Sequence, residues 1–174
     1  MKRHRKTATI IFLVFSVSLH ILSQNSRSEV KEKEVSVRGG TYRRPLEFMP
    51  RTLDPALAAD IYSVTVIHQL FDGLVQFDQN LNIIPAIAKS WKISHDGLNY
   101  TFSLREGVKF HNGREVTADD FVYSFTRIVD PKSKASAAHF LEKVSGVKEF
   151  QNGKKKHIEG FKSVGKHIFQ IKLD

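Results

Sequence analysis

The sequence predicts an α+β fold, and three observations carry that prediction. Apolar and polar residues alternate on both sides of His95-Asp96-Gly97, the pattern of a hairpin with one buried face. The same alternation returns around Gly165-Lys166 near the end of the chain. Between them, Phe121, Val122, Phe125 and Ile128 recur at helical spacing behind Thr117. Strands and helices are interspersed without closing into an obvious two-layer unit. The chain stops directly after a strand, which reads as an incomplete domain.

The elements follow in order. Met1 to Lys6 is basic, and Ala8 to Leu22 is apolar apart from Thr9, Ser16, Ser18 and His20. A membrane span needs roughly 20 apolar residues, so this shorter run reads as a secretory signal peptide over residues 1–28, with an uncleaved anchor as the alternative. Ser26-Arg27-Ser28 is the best small-residue cleavage candidate, and Ser23 is another. Residues 29–39 alternate in charge and bury little, as a flexible leader would.

Folded sequence is expected over residues 40–174. Thr41 to Met49 reads as a strand with Pro45 at an edge or bend, and the stretch holding Asp54-Pro55 reads as a loop. Ser63 is placed to cap a helix that carries Val64, Ile67, Leu70, Phe71 and Leu74 as one stripe. Gly73 leads into a short strand, LVQFD, which Asp78-Gln79-Asn80 turns. Trp91 and Ile93, then Tyr100, Phe102 and Leu104, form the first hairpin, and Val108 to Phe110 a further short strand. Thr117 caps the next helix, with Asp119 and Asp120 at its positive end, and Asp130-Pro131 stops it. Ala135 to Val144 is expected to be helical. The second hairpin follows, with Phe169, Ile171 and Leu173 on one face.

Composition closes several function classes. With no Cys in 174 residues, a disulfide framework, a thiol nucleophile and a Cys-ligated metal site are excluded. The net charge of +9 suggests nucleic acid, but five of the 27 positive residues precede Ser28. From there on, 22 positive residues face 18 negative ones, and Lys154-Lys155-Lys156 lacks interleaved aromatics, so no nucleic-acid partner is expected. There is no G-x-S-x-G elbow, phosphate-cradling glycine loop or H-E-x-x-H. Asp119 and Asp120 point about 100° apart on a helix and do not meet as an acid–base pair. The eight histidines never pair at ligand spacing. No catalytic residue, metal site or cofactor is expected, and Trp91, Tyr100, Phe102 and Phe110 read as core before they read as a ligand platform.

The run from Ala88 to Ile128 resembles the signature of a known family. Its markers are Ala88, Ser90 and Trp91, Asp96-Gly97, Tyr100-Thr101-Phe102, Leu104-Arg105, Gly107-Val108, Phe110-His111, Gly113 and Thr117-Ala118-Asp119-Asp120. Upstream, Thr52 to Ala56 and Gln69 to Val75 follow the same order. Together they are similar to the peptide/nickel/opine class, family 5, of bacterial extracellular solute-binding proteins of ABC importers. The resemblance implies part of the first lobe of a two-lobed periplasmic binding protein, with a hairpin-rich subdomain and the second lobe absent. Gly40 to Leu53 would supply the lobe's first strand.

The resemblance further implies capture of a short peptide in the periplasm and delivery to an inner-membrane ABC permease, by a monomer. By position, Glu47, Phe48 and Met49, then Asp60, Ile61 and Tyr62, would face the ligand, with the Asp60 carboxylate available to a peptide amine. Nickel, haem, an opine or an oligosaccharide is the alternative cargo, and a truncated, non-binding product is the alternative role.

Overall fold

The computed structural model describes residues 40–41 and 43–174, so the signal peptide expected over 1–28 and the leader expected over 29–39 lie outside the described residues. The chain divides after Arg43, and residues 44–174 form the unit described below.

Its centre is an antiparallel sheet of β3 (Ala88–Ile93), β4 (Asn99–Leu104), β5 (Phe161–Ser163) and β6 (Ile168–Lys172), in the order β3-β4-β6-β5. Opposed residues share a face, so Tyr100 lies beside Ile171 and Phe102 beside Phe169. Helix α2 (Ala118–Val129) covers that face: Phe121 and Phe125 set their rings 5.8 and 5.4 Å from that of Phe169. Phe169 is fully buried, as are Leu104 and Val129 to within 1%. Burying one such side chain contributes roughly 1.5–3 kcal/mol.

This is a two-layer arrangement, contrary to the expectation from the element order. The last hairpin does not hang at an end. Strand β6 inserts between β4 and β5, so the second hairpin continues the sheet of the first and α2 crosses over both. The turns are built as the sequence suggests. Gly97 adopts a φ of 74°, and Asp96 Oδ1 accepts the Leu98 N–H at 3.0 Å.

Helix α2 begins where expected. The Asp120 carboxylate reaches back to the N–H and hydroxyl of Thr117 at 2.8 and 3.0 Å. At its end, Asp130 Oδ1 accepts the Lys132 N–H at 2.9 Å and starts a short 3₁₀ turn, Pro131–Ser133.

Four expectations need correction. Residues 44–49 form no strand: they are exposed and pair with no strand among the described residues. Helix α1 (Ile61–Leu70) is capped by Asp60, with Ser63 already inside its first turn. Val108 to Phe110 contributes only a bridge between Lys109 and Glu115 within a tight loop. Ala135 to Val144 is a 3₁₀ segment over Ser136–Leu141, and the regular helix is α3 (Val147–Gln151), after Gly146 at φ 82°. Three-residue winding keeps Leu141 and Val144 on one side, toward the core they both join.

A separate two-stranded hairpin joins β1 (Val75–Phe77) to β2 (Ile83–Pro85). Asp78 Oδ1 accepts the N–H groups of Asn80 and Asn82, each at 2.8 Å, which makes the expected turn.

Candidate functional site

The loop before α1 is held by polar side chains. Asp60 Oδ1 accepts the N–H groups of Tyr62 and Ser63 at 3.1 and 2.9 Å, and Oδ2 accepts the Ser63 hydroxyl at 2.7 Å. The Ser63 oxygen, fully buried, in turn accepts the N–H groups of Arg51 and Thr52 at 3.0 and 3.3 Å. One short side chain thereby fastens the incoming loop to the helix. The Ser63 N–H, then its hydroxyl, hold the Asp60 carboxyl below the usual carboxylate range.

Farther along the loop, Asp54 forms a bidentate pair with Arg127 of α2, one arm at 2.9 Å. The Arg127 hydrogen bond is the main cause that lowers the Asp54 pKa. Asp54 also accepts the Ala56 N–H at 3.0 Å and so shapes its own turn.

The two candidate segments come together. Tyr62 donates its hydroxyl to Glu47 Oε2 at 3.2 Å, and its ring lies 5.2 Å from that of Phe48, tilted by 58°. Phe48, Met49 and Ile61 are 61%, 85% and 68% exposed. Apolar side chains standing that far out contribute little to the fold and are free to take a ligand. Asp60 stands apart, since its carboxylate is occupied by the cap.

The family-like markers do structural work. Arg105 donates Nε to Ala86 O at 2.8 Å and so ties β4 to the β2–β3 connection. Asp120 pairs with Arg114 at 2.6 Å in addition to boxing Thr117. Asp119 accepts the Ser163 hydroxyl instead, so the two aspartates have separate partners. Glu115 accepts from Lys166, from the Gly107 N–H at 3.0 Å and from His167 at 3.0 Å. These donors, Lys166 first, lower its pKa from 4.5 to about 2. Of Trp91, Tyr100, Phe102 and Phe110, Phe102 stacks on Phe169, and Phe110 lies under Arg114. Among the described residues, no group of three His, Asp or Glu is placed to hold a metal ion.

A separate groove is lined by Phe102 and Phe110, two of the four aromatics of the possible ligand platform. This groove of about 700 Å³ runs from the end of α1 to the sheet and α2, lined by Phe71, Phe102, Phe121 and Phe125 among others, with His68 and His111 also on its wall. The signal was present in the expected apolar stripe, which outruns α1: the helix ends at Leu70 with Phe71 as its extended cap, before Leu74, and Leu70 and Phe71 stay 41% and 50% exposed. Periodicity marks such residues as apolar and leaves open whether anything covers them.

With this geometry in hand, comparison with known proteins decides the family. The model described as bacterial extracellular solute-binding proteins, family 5 Middle, matches residues 82–174, more than half of the chain. The chain belongs to family 5. Among curated members, the periplasmic murein peptide-binding protein MppA of Escherichia coli is 35% identical over the whole of this chain. The heme-binding protein A of Haemophilus influenzae is 43% identical over 52% of it. Among solved family 5 structures, the Haemophilus influenzae OppA complex with RPPGFSPFR superposes with a TM-score of 0.67 and 34% identity over 71% of this chain. The matches cover 32% of MppA, 17% of heme-binding protein A and 25% of the OppA chain. This chain therefore spans a third or less of the relatives it matches.

Proposed function

We propose that this chain is part of the substrate-binding component of an ABC importer, which captures short peptides in the periplasm and delivers them to an inner-membrane permease. The observation that carries this reading is the meeting of Glu47-Phe48-Met49 with Ile61-Tyr62. Two segments chosen separately along the sequence form one exposed face of mixed apolar and polar character. Phe48, Met49 and Ile61 would take ligand side chains, Glu47 and Tyr62 its polar groups, and Asp60 positions Tyr62 through the helix cap. The relatives named for peptides lend support.

The reading includes a signal peptide over 1–28, a leader over 29–39 and a binding portion over 40–174 that works as a monomer. N-terminal sequencing of the exported product tests the first element. Calorimetry with short peptides tests the site: the double substitution Phe48→Ala, Tyr62→Ala should weaken binding about tenfold or more, since buried aromatic anchors carry much of an interface. Unchanged affinity would remove this face from the site.

A second reading, haem as cargo, is favoured by the aromatic groove with His68 and His111 on its wall and by the likeness to heme-binding protein A. A haem titration distinguishes it: a Soret shift that His68→Ala or His111→Ala removes would move the cargo site to the groove.

A further inference from the structure

We infer that the face of the sheet turned away from α2 carries a site for a phosphate-class dianion, built from Lys162, Lys172, Gln170, Thr101 and Asn99. It does not depend on the peptide reading above. The strand sequences supply the first observation. Strands β3, β4, β5 and β6 hold four lysines, Lys89, Lys92, Lys162 and Lys172, and not one Asp or Glu.

The register supplies the second. Phe102, Phe161 and Phe169 turn toward α2, so the residues next to them along each strand turn the other way. Lys92, Thr101, Gln170 and Lys162 then form one row across the sheet. Lys172 follows Gln170 by two residues and shares that face, with Asn99 opposite it. Lys162 and Lys172 are therefore diagonal neighbours, with Cα atoms roughly 7–8 Å apart. Both are exposed, and neither forms an ion pair among the described residues. Like charges so placed repel, and no carboxylate of the sheet relieves them.

A dianion between them would relieve them, and there is room for one. A concavity of about 280 Å³ is lined by Lys162, Lys172, Gln170, Thr101 and Asn99. Gln170 spends one amide N–H on the Thr101 oxygen, at 3.3 Å. Its second N–H, the Thr101 hydroxyl and the Asn99 amide remain to donate. Glu159 is the one carboxylate on this wall, and it is paired with Lys155 at 2.8 Å. The charges of His157 and Lys172 also act on it, so positive charge exceeds negative around the concavity. A phosphoryl group accepts from ammonium, amide and hydroxyl donors at once, which a chloride ion cannot match.

Inorganic phosphate and glycerol 3-phosphate are titrated into the full chain at constant ionic strength, with sodium chloride as the control. NMR follows the amide resonances of Lys162, Gln170 and Lys172. Their shifts should saturate with a Kd of about 1 mM, the scale that two charge-assisted contacts give. The double substitution Lys162→Gln, Lys172→Gln should weaken binding at least tenfold. In low-salt buffer free of phosphate it should also raise the melting temperature, because the repulsion is gone. Shifts that climb without saturating, that chloride reproduces, or that survive the double substitution overturn the site. A fall in melting temperature overturns the self-repulsion on which it rests.

Phosphatidylcholine vesicles with and without phosphatidic acid separate the sources of the phosphoryl group. Co-sedimentation that needs phosphatidic acid and is abolished by the double substitution assigns the group to a lipid headgroup. Saturable shifts without co-sedimentation assign it to a free phosphate or phosphate ester.

Discussion

The sheet with its helix and the arm that leads into α1 are held by different physics. Around Phe169, order comes from apolar burial: four further rings, of Phe102, Phe121, Phe125 and Phe161, lie within 6.4 Å of it. From Leu46 to Ser63, order comes from single polar side chains, Asp54, Asp60 and Ser63, while Phe48, Met49, Leu53 and Ile61 stay at least half exposed. The first region is filled by its own rings. The second is shaped without being filled, and a segment of that kind is suited to meet a ligand.

The sharpest way to break this contrast is at the core. Phe169→Ala should cost about 3–5 kcal/mol in urea unfolding, the usual range for a buried phenylalanine. A loss below 1 kcal/mol would mean that the ring cluster is not what holds the sheet. Gly160→Ala comes next. Its Cβ would meet Val144 and lie 2.7 Å from the carbonyl oxygens of Lys172 and Ser145, so backbone must move, at about 1–3 kcal/mol. Ser63→Ala should cost about 1–3 kcal/mol by orphaning two N–H groups. Its exchange signature should be local: amide protection at Arg51 and Thr52 falls while β4 and β6 keep theirs. Phe48→Ala, at an exposed position, should shift stability by no more than about 0.5 kcal/mol.

Acid sharpens the comparison further. The Glu115 carboxyl titrates lower in the folded chain than in the unfolded one, so its contribution to stability is complete above the ordinary value of 4.5. That contribution should fade as pH drops toward about 2. Glu115→Gln should remove that part of the acid limb in a pH series of melting temperatures, while an unaltered limb would assign it to other carboxylates.

The same contrast explains what was legible in the sequence. Alternation at Tyr100, Phe102 and Leu104 gave the hairpin because one face of it is buried, and the Thr117 box followed from residue type at fixed spacing. The α1 cap is ambiguous in the sequence because Asp60 and Ser63 are both good cap residues, and only the loop path through Arg51 and Thr52 decides between them. Ala135 to Val144 reads as helix because 3₁₀ winding leaves no separate mark in composition. The strand expected over Thr41 to Met49 needs a partner strand, and local sequence carries no information on partners. Of the site, sequence position found the residues that meet, and could not tell that Asp60 is occupied by its helix while Glu47 is open.

Hydrogen–deuterium exchange of the chain with and without trialanine tests the central claim most directly. Slowed exchange is expected at residues 46–49 and 60–63 alone, with β4 and β6 unchanged. Slowing at the groove between α1 and α2, or none around Glu47 and Tyr62 at saturating peptide, would contradict it.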